Sequence, residues 1–295
     1  MQLGVSSYSF APSLESGRKT ILDVIDWVAE SDADHLEISI AGLGTDLTQN
    51  PELVAAIKQR AAEKGVPLAN YVVGANFRAD DVAAQIATVK AHIDVAHELG
   101  ITLFRHDVVE WAWRDADQAE YEQTLAAVIP ICQELADYAA ALGITTTIEN
   151  HGFFANNSER VRRLVYAVDR PNFRTLLDIG NFLCVDEQPL SAVQFTLPYA
   201  AVVHLKDFYI RESAPGDGWL RTLGGHAILG SIVGFGDLPM QRILGLIKAS
   251  GFDGPISIEF EGLEEETLAV TTGLANARRY WHESTEVVDG TVVLG

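Results

Sequence analysis

An amphipathic helix, a glycine and then a short β-rich run follow one another at Gly65, Gly100, Gly143 and Gly251, and this recurrence narrows the possible folds more than any other feature. A glycine there suits the left-handed residue that closes a helix before a turn. The clearest helix is Asp80–Leu99, where Val82, Ile86, Val89, Ile93 and Ala96 mark a single face. Apolar spacing predicts the other helices over Thr20–Glu30, Pro51–Lys64, Asp115–Leu142, Ser158–Val168, Leu190–Leu197, Asp237–Ser250 and Glu264–Glu283. Strands are predicted over Leu3–Ser9, Leu36–Ile40, Pro67–Val73, Ile101–Arg105, from Ile144, and over Phe173–Ile179, Ala200–Lys206 and Pro255–Phe260. Strand and helix alternate eight times, which favours a parallel sheet closed as a single (β/α)8 barrel. Such a barrel takes about 250 residues, and the chain has 295. We therefore expect one catalytic barrel domain over 1–283 and a tail over 284–295. The tail is expected to pack underneath the barrel or against another subunit, which leaves a homo-oligomer or a partner subunit open.

Charge and hydropathy bound the partners. Net charge is −20, from 21 basic and 41 acidic residues. Phosphate contacts need clustered Lys and Arg, so no nucleic-acid partner is expected, and a heavily phosphorylated substrate is disfavoured. No apolar run reaches the roughly 20 residues of a membrane span, and Met1–Ser6 lacks the basic and apolar regions of a signal peptide. The expectation is a cytoplasmic protein without membrane association. Cys132 falls on a helical stripe as a small core residue, and Cys184 follows a strand end as a packing residue.

Four later strands each end on a side chain that ligates hard metals: Glu149, Asp178, His204 and Glu259. In barrels of this kind the active site lies at the carboxyl ends of the strands. Side chains alternate along a strand, so Thr145, Thr147 and Glu149 share one side, as do His204 and Lys206, or Ser257, Glu259 and Glu261. With the apolar set on the helices, the polar set points inward. Unpaired carboxylates there would be costly to ionise, and one divalent cation shared by all four side chains removes that cost. Three carboxylates and one imidazole favour Mn²⁺, with Mg²⁺, Co²⁺ or Zn²⁺ as alternatives, over a thiolate-rich structural zinc site.

Glu-Asn-His from Glu149, Leu-Asp-Ile-Gly-Asn around Asp178, His-Leu-Lys-Asp from His204 and Ile-Glu-Phe-Glu around Glu259 resemble the metal-ligand motifs of a known family. These are the xylose isomerase-like TIM barrels of the sugar phosphate isomerase/epimerase family, and the resemblance runs from Leu3 to about Trp281. It implies a metal enzyme acting on a small sugar or keto-sugar. The family includes ketose 3-epimerases, hydroxypyruvate and inosose isomerases, inosose and dehydroshikimate dehydratases, and lyases acting on 3-keto-glycosides. Ketose 3-epimerases of the family carry a histidine three residues after the Asp ligand. This chain has Asn181 there, a departure from the free-ketose pattern.

The chemistry expected is proton abstraction beside a metal-bound carbonyl, with an enediolate held by the metal. Glu149 and Glu259 are candidates to take and return the proton. Because ligation lowers carboxylate basicity, His151 is the candidate base outside the ligand set, and Lys206 the candidate oxyanion partner. Candidate substrate contacts are His106, Asn181, Glu37, Trp111, Phe10 and His226, with Trp113 and Phe153 as further aromatic walls. The Gly-rich segment 207–236 is expected to be a substrate-specific lid. Return of the proton gives isomerisation or epimerisation; expulsion of a β-substituent makes the same site a lyase or dehydratase. An abasic-site endonuclease would need about three metals and a basic groove, and a non-catalytic relative would fail to bind metal.

Overall fold

The structure is a computed structural model that describes residues 1–284, 287–288 and 291–292. In chain order the strands are β1 (Gln2–Ser6), β2 (Leu36–Ser39), β3 (Leu68–Val73), β4 (Leu103–His106), β5 (Thr145–Glu149), β6 (Phe173–Asp178), β7 (Ala200–Leu205), β8 (Asp207–Arg211), β9 (Leu220–Arg221), β10 (Ala227–Ser231) and β11 (Pro255–Ile258). The helices are α1 (Ala11–Glu15), α2 (Ile21–Glu30), α3 (Pro51–Lys64), α4 (Val82–Glu98), α5 (Gln118–Ala141), α6 (Ser158–Val168), α7 (Pro189–Thr196), α8 (Met240–Ala249) and α9 (Glu266–Glu283). Strands β1 to β7 and β11 close into a parallel barrel, with β11 seated between β7 and β1. This is the (β/α)8 architecture expected from the alternation.

Local chemistry sets the boundaries. Thr20 and Asp23 form a reciprocal capping box at the start of α2, and Asn50 caps α3 with Pro51 at its first position. Gly65 closes α3 with φ 69°, the left-handed conformation that its place in the recurrence predicts.

Two apolar layers result. A large cluster lies between the sheet and the helices, built from residues such as Val5, Ile38, Phe104, Ile148, Leu177, Val203 and Ile258. A small cluster of Val72, Leu176 and Val202, with Leu103 against it, takes the opposite strand faces and plugs the barrel interior. Also inside, His35 Nε2 lies 2.9 Å from Ser257 Oγ, and a side chain at Gly4 would collide with the His35 ring.

One expected boundary is corrected, and the segment expected as a lid has strands of its own. The first strand stops at Ser6, whose hydroxyl accepts the Tyr8 N–H and starts a 3-10 turn over Ser7–Phe10. The turn carries Tyr8 to the barrel mouth and drives Phe10 into the core. The segment expected as a Gly-rich lid holds a three-stranded antiparallel sheet, in which β10 pairs with β8 and β9. Its base is fastened by Asp207, whose carboxylate accepts the N–H groups of Phe208, Gly234, Gly236 and Leu238. In the tail, Val287–Val288 pairs with Thr291–Val292; the expected packing of the rest falls on residues outside the described ones. No helix among the described residues is long and apolar enough to cross a membrane.

Candidate metal centre

The four predicted ligands meet. Glu149 ends β5, Asp178 ends β6, His204 lies one residue before the end of β7, and Glu259 follows β11. One ligand atom from each lies within 4.8 Å of the others, and all four residues are buried. Asp178 and His204 are register partners on adjacent strands, as are His204 and Ser257, so the sheet itself sets their spacing.

The flanking residues of each motif have local tasks. Asn150 clamps β5 to β6: its amide donates to the Asp178 carbonyl at 2.7 Å, and its side-chain oxygen accepts the Asp178 N–H at 2.9 Å. Asp178 Oδ1 accepts the N–H groups of Gly180 and Asn181 at 2.7 and 2.8 Å. Gly180 has to be glycine, because a Cβ there would sit 2.7 Å from the Lys206 carbonyl oxygen.

The polar atoms left over are the ones a cation needs. His204 Nε2 lies 2.8 Å from Glu37 Oε2, which also accepts from Asn70 Nδ2 at 2.9 Å. His204 Nδ1 and Asp178 Oδ2 are buried and make no hydrogen bond. Their nearest charged neighbours, Glu259 Oε2 at 3.4 Å and Lys206 Nζ at 3.3 Å, contact them without hydrogen-bond geometry. A carboxylate that holds the far nitrogen of an imidazole and leaves the near one free is the usual support of a metal-bound histidine. The set thus fits a hard divalent cation.

Charge points the same way. Six carboxylates (Glu37, Asp107, Glu149, Asp178, Glu259 and Glu261) surround only two permanent cations, Arg105 and Lys206. Burial alone would depress the His204 pKa, but Glu37 and Glu259 outweigh it and hold it well above the ordinary value. Burial raises the Asp178 carboxyl to about 6, against the pull of Lys206. Burial would raise Glu259 as well, yet Lys206 and His204 take it well below the carboxylate range. Metal binding would displace the imidazole proton and favour every carboxylate as the anion.

Glu149 and Glu259, with Arg105 and Lys206, line a cavity of about 490 Å³ at the mouth, together with Tyr8, Asp107, Trp111, His151, Asn181, Cys184 and Glu261. Lys206 Nζ pairs with Glu259 at 2.6 Å and Glu261 at 3.1 Å, and donates to Asn181 Oδ1 at 3.2 Å. Asn181 donates in turn to Glu149 Oε1 at 2.9 Å. His151 Nδ1 lies 3.1 Å from Asp107 Oδ1, and Trp111 stands 46 % exposed at the rim.

Four predicted substrate contacts lie elsewhere. His106 packs with the rings of Phe77, Phe104 and Phe173, its Nδ1 2.8 Å from the Asp107 carbonyl oxygen, and burial drops its pKa to about 4. Strand parity explains the miss, because its neighbours Arg105 and Asp107 are the ones that face inward. Phe10 is buried edge-on against Trp27. His226 lies on the three-stranded sheet, paired with Asp186 at 2.9 Å. Glu37 is fully buried beneath His204 and does not form part of the rim. Of the further aromatic walls, Phe153 is buried behind Trp111, and Trp113 packs under Arg78.

Three residues of the site were missed, Arg105, Asp107 and Tyr8, and Glu261, expected to point inward, was given no role in it. Arg105 is buried and reaches both Asp107 and Glu149 at 2.8 Å. Burial and the nearby Glu261 and Glu259 keep the Tyr8 phenol protonated, with its pKa pushed up to about 12. Parity marked Glu261 as inward-facing, but on β4, with Leu103 and Phe104 both apolar, it leaves Arg105 undecided. Nothing in the local sequence marks Tyr8.

Known proteins share this frame. A xylose isomerase-like TIM barrel family model matches residues 25–283. The Escherichia coli K12 protein YihM is 30 % identical over 124 residues, which are 42 % of this chain and 34 % of that one, so the match spans about a third of that relative's length. Among solved structures, a xylose isomerase-like TIM barrel protein from Mycobacterium smegmatis in complex with magnesium superposes with TM-score 0.72 at 16 % identity, over 95 % of this chain and 97 % of that one. The E. coli 3-keto-D-glucoside 4-epimerase YcjR gives 0.71 at 16 % over 95 % and 99 %. The probable 3-DHS dehydratase AsbF of Bacillus anthracis gives 0.71 at 16 % over 93 % and 98 %. With its closed barrel and nearly all its length matched, this chain belongs to the xylose isomerase-like TIM barrel family.

Proposed function

We propose that the protein is a divalent-metal-dependent isomerase or epimerase of a sugar or keto-sugar, working by proton transfer at the carbon beside the carbonyl. The observation that carries this is the meeting of Glu149, Asp178, His204 and Glu259, of which Glu149 and Glu259 line the mouth cavity. These four residues would hold the ion, Mn²⁺ by donor type, with Mg²⁺, Co²⁺ or Zn²⁺ as alternatives. The ion would supply Lewis acidity, polarising the carbonyl and its neighbouring hydroxyl so that the intervening C–H is acidified.

The chain's own residues divide the remaining work. Glu149 and Glu259 come from strands on different sides of the cavity and are placed to take and return a proton. Asn181 and Arg105 grip both oxygens of Glu149, which fixes its angle. Lys206, anchored by Glu259, Glu261 and Asn181, faces negative charge growing on the substrate oxygen. Trp111 offers an apolar wall for the ring.

A second reading, elimination by a lyase or dehydratase, is favoured by one observation. His151 lies outside the ligand set, its ring 29 % exposed and held by Asp107, where it can deliver a proton to a departing oxygen. Incubation with keto-sugars and Mn²⁺ in D₂O separates the two. Deuterium beside the carbonyl at unchanged skeleton mass supports isomerisation or epimerisation. Loss of water or of an aglycone supports elimination. No exchange with any keto-sugar, despite bound metal, rejects both.

A further inference from the structure

Two permanent cations touch the candidate ligands, and they do so differently. Arg105 divides itself between Glu149 and Asp107, each at 2.8 Å, with donors enough for both. Lys206 is over-subscribed. Its Nζ lies 2.6 Å from Glu259 Oε2, 3.1 Å from Glu261 Oε1, 3.2 Å from Asn181 Oδ1 and 3.3 Å from Asp178 Oδ2. An ammonium has three N–H groups for those four oxygens, and Asp178 Oδ2 is the one left without a hydrogen bond.

The four oxygens fall into two pairs. Asp178 and Glu259 belong to the candidate ligand set, and Glu259 Oε2 also lies 3.4 Å from His204 Nδ1. Glu261 and Asn181 stand outside that set and line the mouth cavity. The Glu261 side chain is 33 % exposed, against 0 % for Asp178 and 9 % for Glu259. A divalent ion held by the four ligands therefore has to draw on two carboxylates that already neutralise an ammonium. Two cations drawing on the same buried oxygens repel each other. The ammonium rides on a flexible four-carbon stem, so it is the one that can yield.

We propose that Lys206 is a built-in counter-ion of the ligand set, displaced from Asp178 and Glu259 when a divalent ion binds, and that Glu261 is the positioning residue that then keeps the ammonium at the cavity. The proposal rests on the metal reading of the four ligands and adds an order of events to it. Once Asp178 and Glu259 are given up, Glu261 and Asn181 occupy two of the N–H groups, and the third is free for a substrate oxygen. Lys206 thus becomes available to the substrate only after the ion is in place.

The test is calorimetric titration of the full chain with Mn²⁺ alone, together with melting of the same protein without added metal. Lys206→Met should bind Mn²⁺ about ten-fold more tightly and yet melt at a lower temperature, because the acids around it lose their cation. The opposite signs are decisive, since a lysine that merely supports the site would lower both. Unchanged or weaker Mn²⁺ binding in Lys206→Met overturns the proposal. Glu261→Gln, at a half-buried position, keeps the test open if Lys206→Met fails to fold. It should weaken Mn²⁺ binding by about three-fold, and unchanged affinity overturns the role given to Glu261. In the Lys206→Met background the same change should have no effect, because no ammonium is left to hold. An equal loss in both backgrounds would reduce Glu261 to long-range attraction and overturn its role as well. If the wild type itself binds no Mn²⁺, the metal reading falls and takes this inference with it.

Discussion

The two halves of the barrel contribute to the site in different ways. Strands β5, β6, β7 and β11 deliver the four candidate ligands, each on or just after a short strand whose polar terminus is plain in the sequence. Strands β2, β3 and β4 deliver what stands behind those ligands. Glu37 and Asn70 lie under His204, and Arg105 lies under Glu149 with Asp107 beside it. One half presents donors to a cation; the other fixes the donors' angles and balances their charge. A ligand half without its supporting half would be three carboxylates repelling one another in a low-dielectric core.

Four measurements would break or sharpen that contrast. The largest effect belongs to the ligand half: His204→Ala or Asp178→Asn should abolish measurable Mn²⁺ binding in calorimetry and reduce solvent exchange of any keto-sugar to background. Wild-type metal affinity in either variant would show that the donors have been assigned to the wrong half. Next comes Arg105→Leu, which leaves Asp107 and Glu149 buried without their shared cation. Stability should fall by about 3–5 kcal/mol, read by urea unfolding of the metal-free protein. A loss within error of zero would mean that solvent or another group already balances those acids.

Glu37→Gln should be milder, keeping the shape and a hydrogen bond to His204 but losing the charge. Metal affinity should weaken by roughly 10–100-fold with the fold intact, and an unchanged affinity would remove β2 from the supporting role. The smallest effect is one of pH and concerns the interior beneath the site. Burial lowers the His35 pKa to about 4, whereas in the unfolded chain it titrates near 6.5. Its contribution is therefore complete above about pH 6.5 and is lost as pH falls toward 4, up to about 2 kcal/mol by pH 5. His35→Gln should flatten that part of the acid limb in melting experiments between pH 7 and 5. An unchanged slope would show that His35 does not stay neutral in the fold.

Legibility followed the same division. On β11, Ile256 and Ile258 alternate with Ser257 and Glu259, so the sequence alone separates a helix-facing side from an inward one. On β4 it cannot. Leu103 and Phe104 are both apolar, yet one plugs the barrel and the other joins the outer core. Without the neighbouring strands there is no way to decide whether Arg105 or His106 turns inward. The sequence reading put the His106 imidazole at the mouth, and the closed barrel turns the Arg105 guanidinium there instead. Phe10 and His226 failed for another reason, since residues in turns and loops carry no periodicity to orient them. Asn181 and Lys206 line the cavity as expected, three residues past β6 and one past β7, where the strand's own direction still governs.

By itself, then, the chain determined eight alternating elements, the glycine stops between them and which four strand-end side chains are candidate ligands. All of these are written in spacings shorter than a helix or strand, where local backbone geometry is decisive. Tertiary structure alone decided that Glu37 steadies His204, that Arg105 bridges two acids, that segment 207–231 folds into a sheet and that Tyr8 reaches the mouth cavity. Each of these joins residues distant in sequence whose meeting depends on how the barrel closes, and closure is a property of all eight strands together.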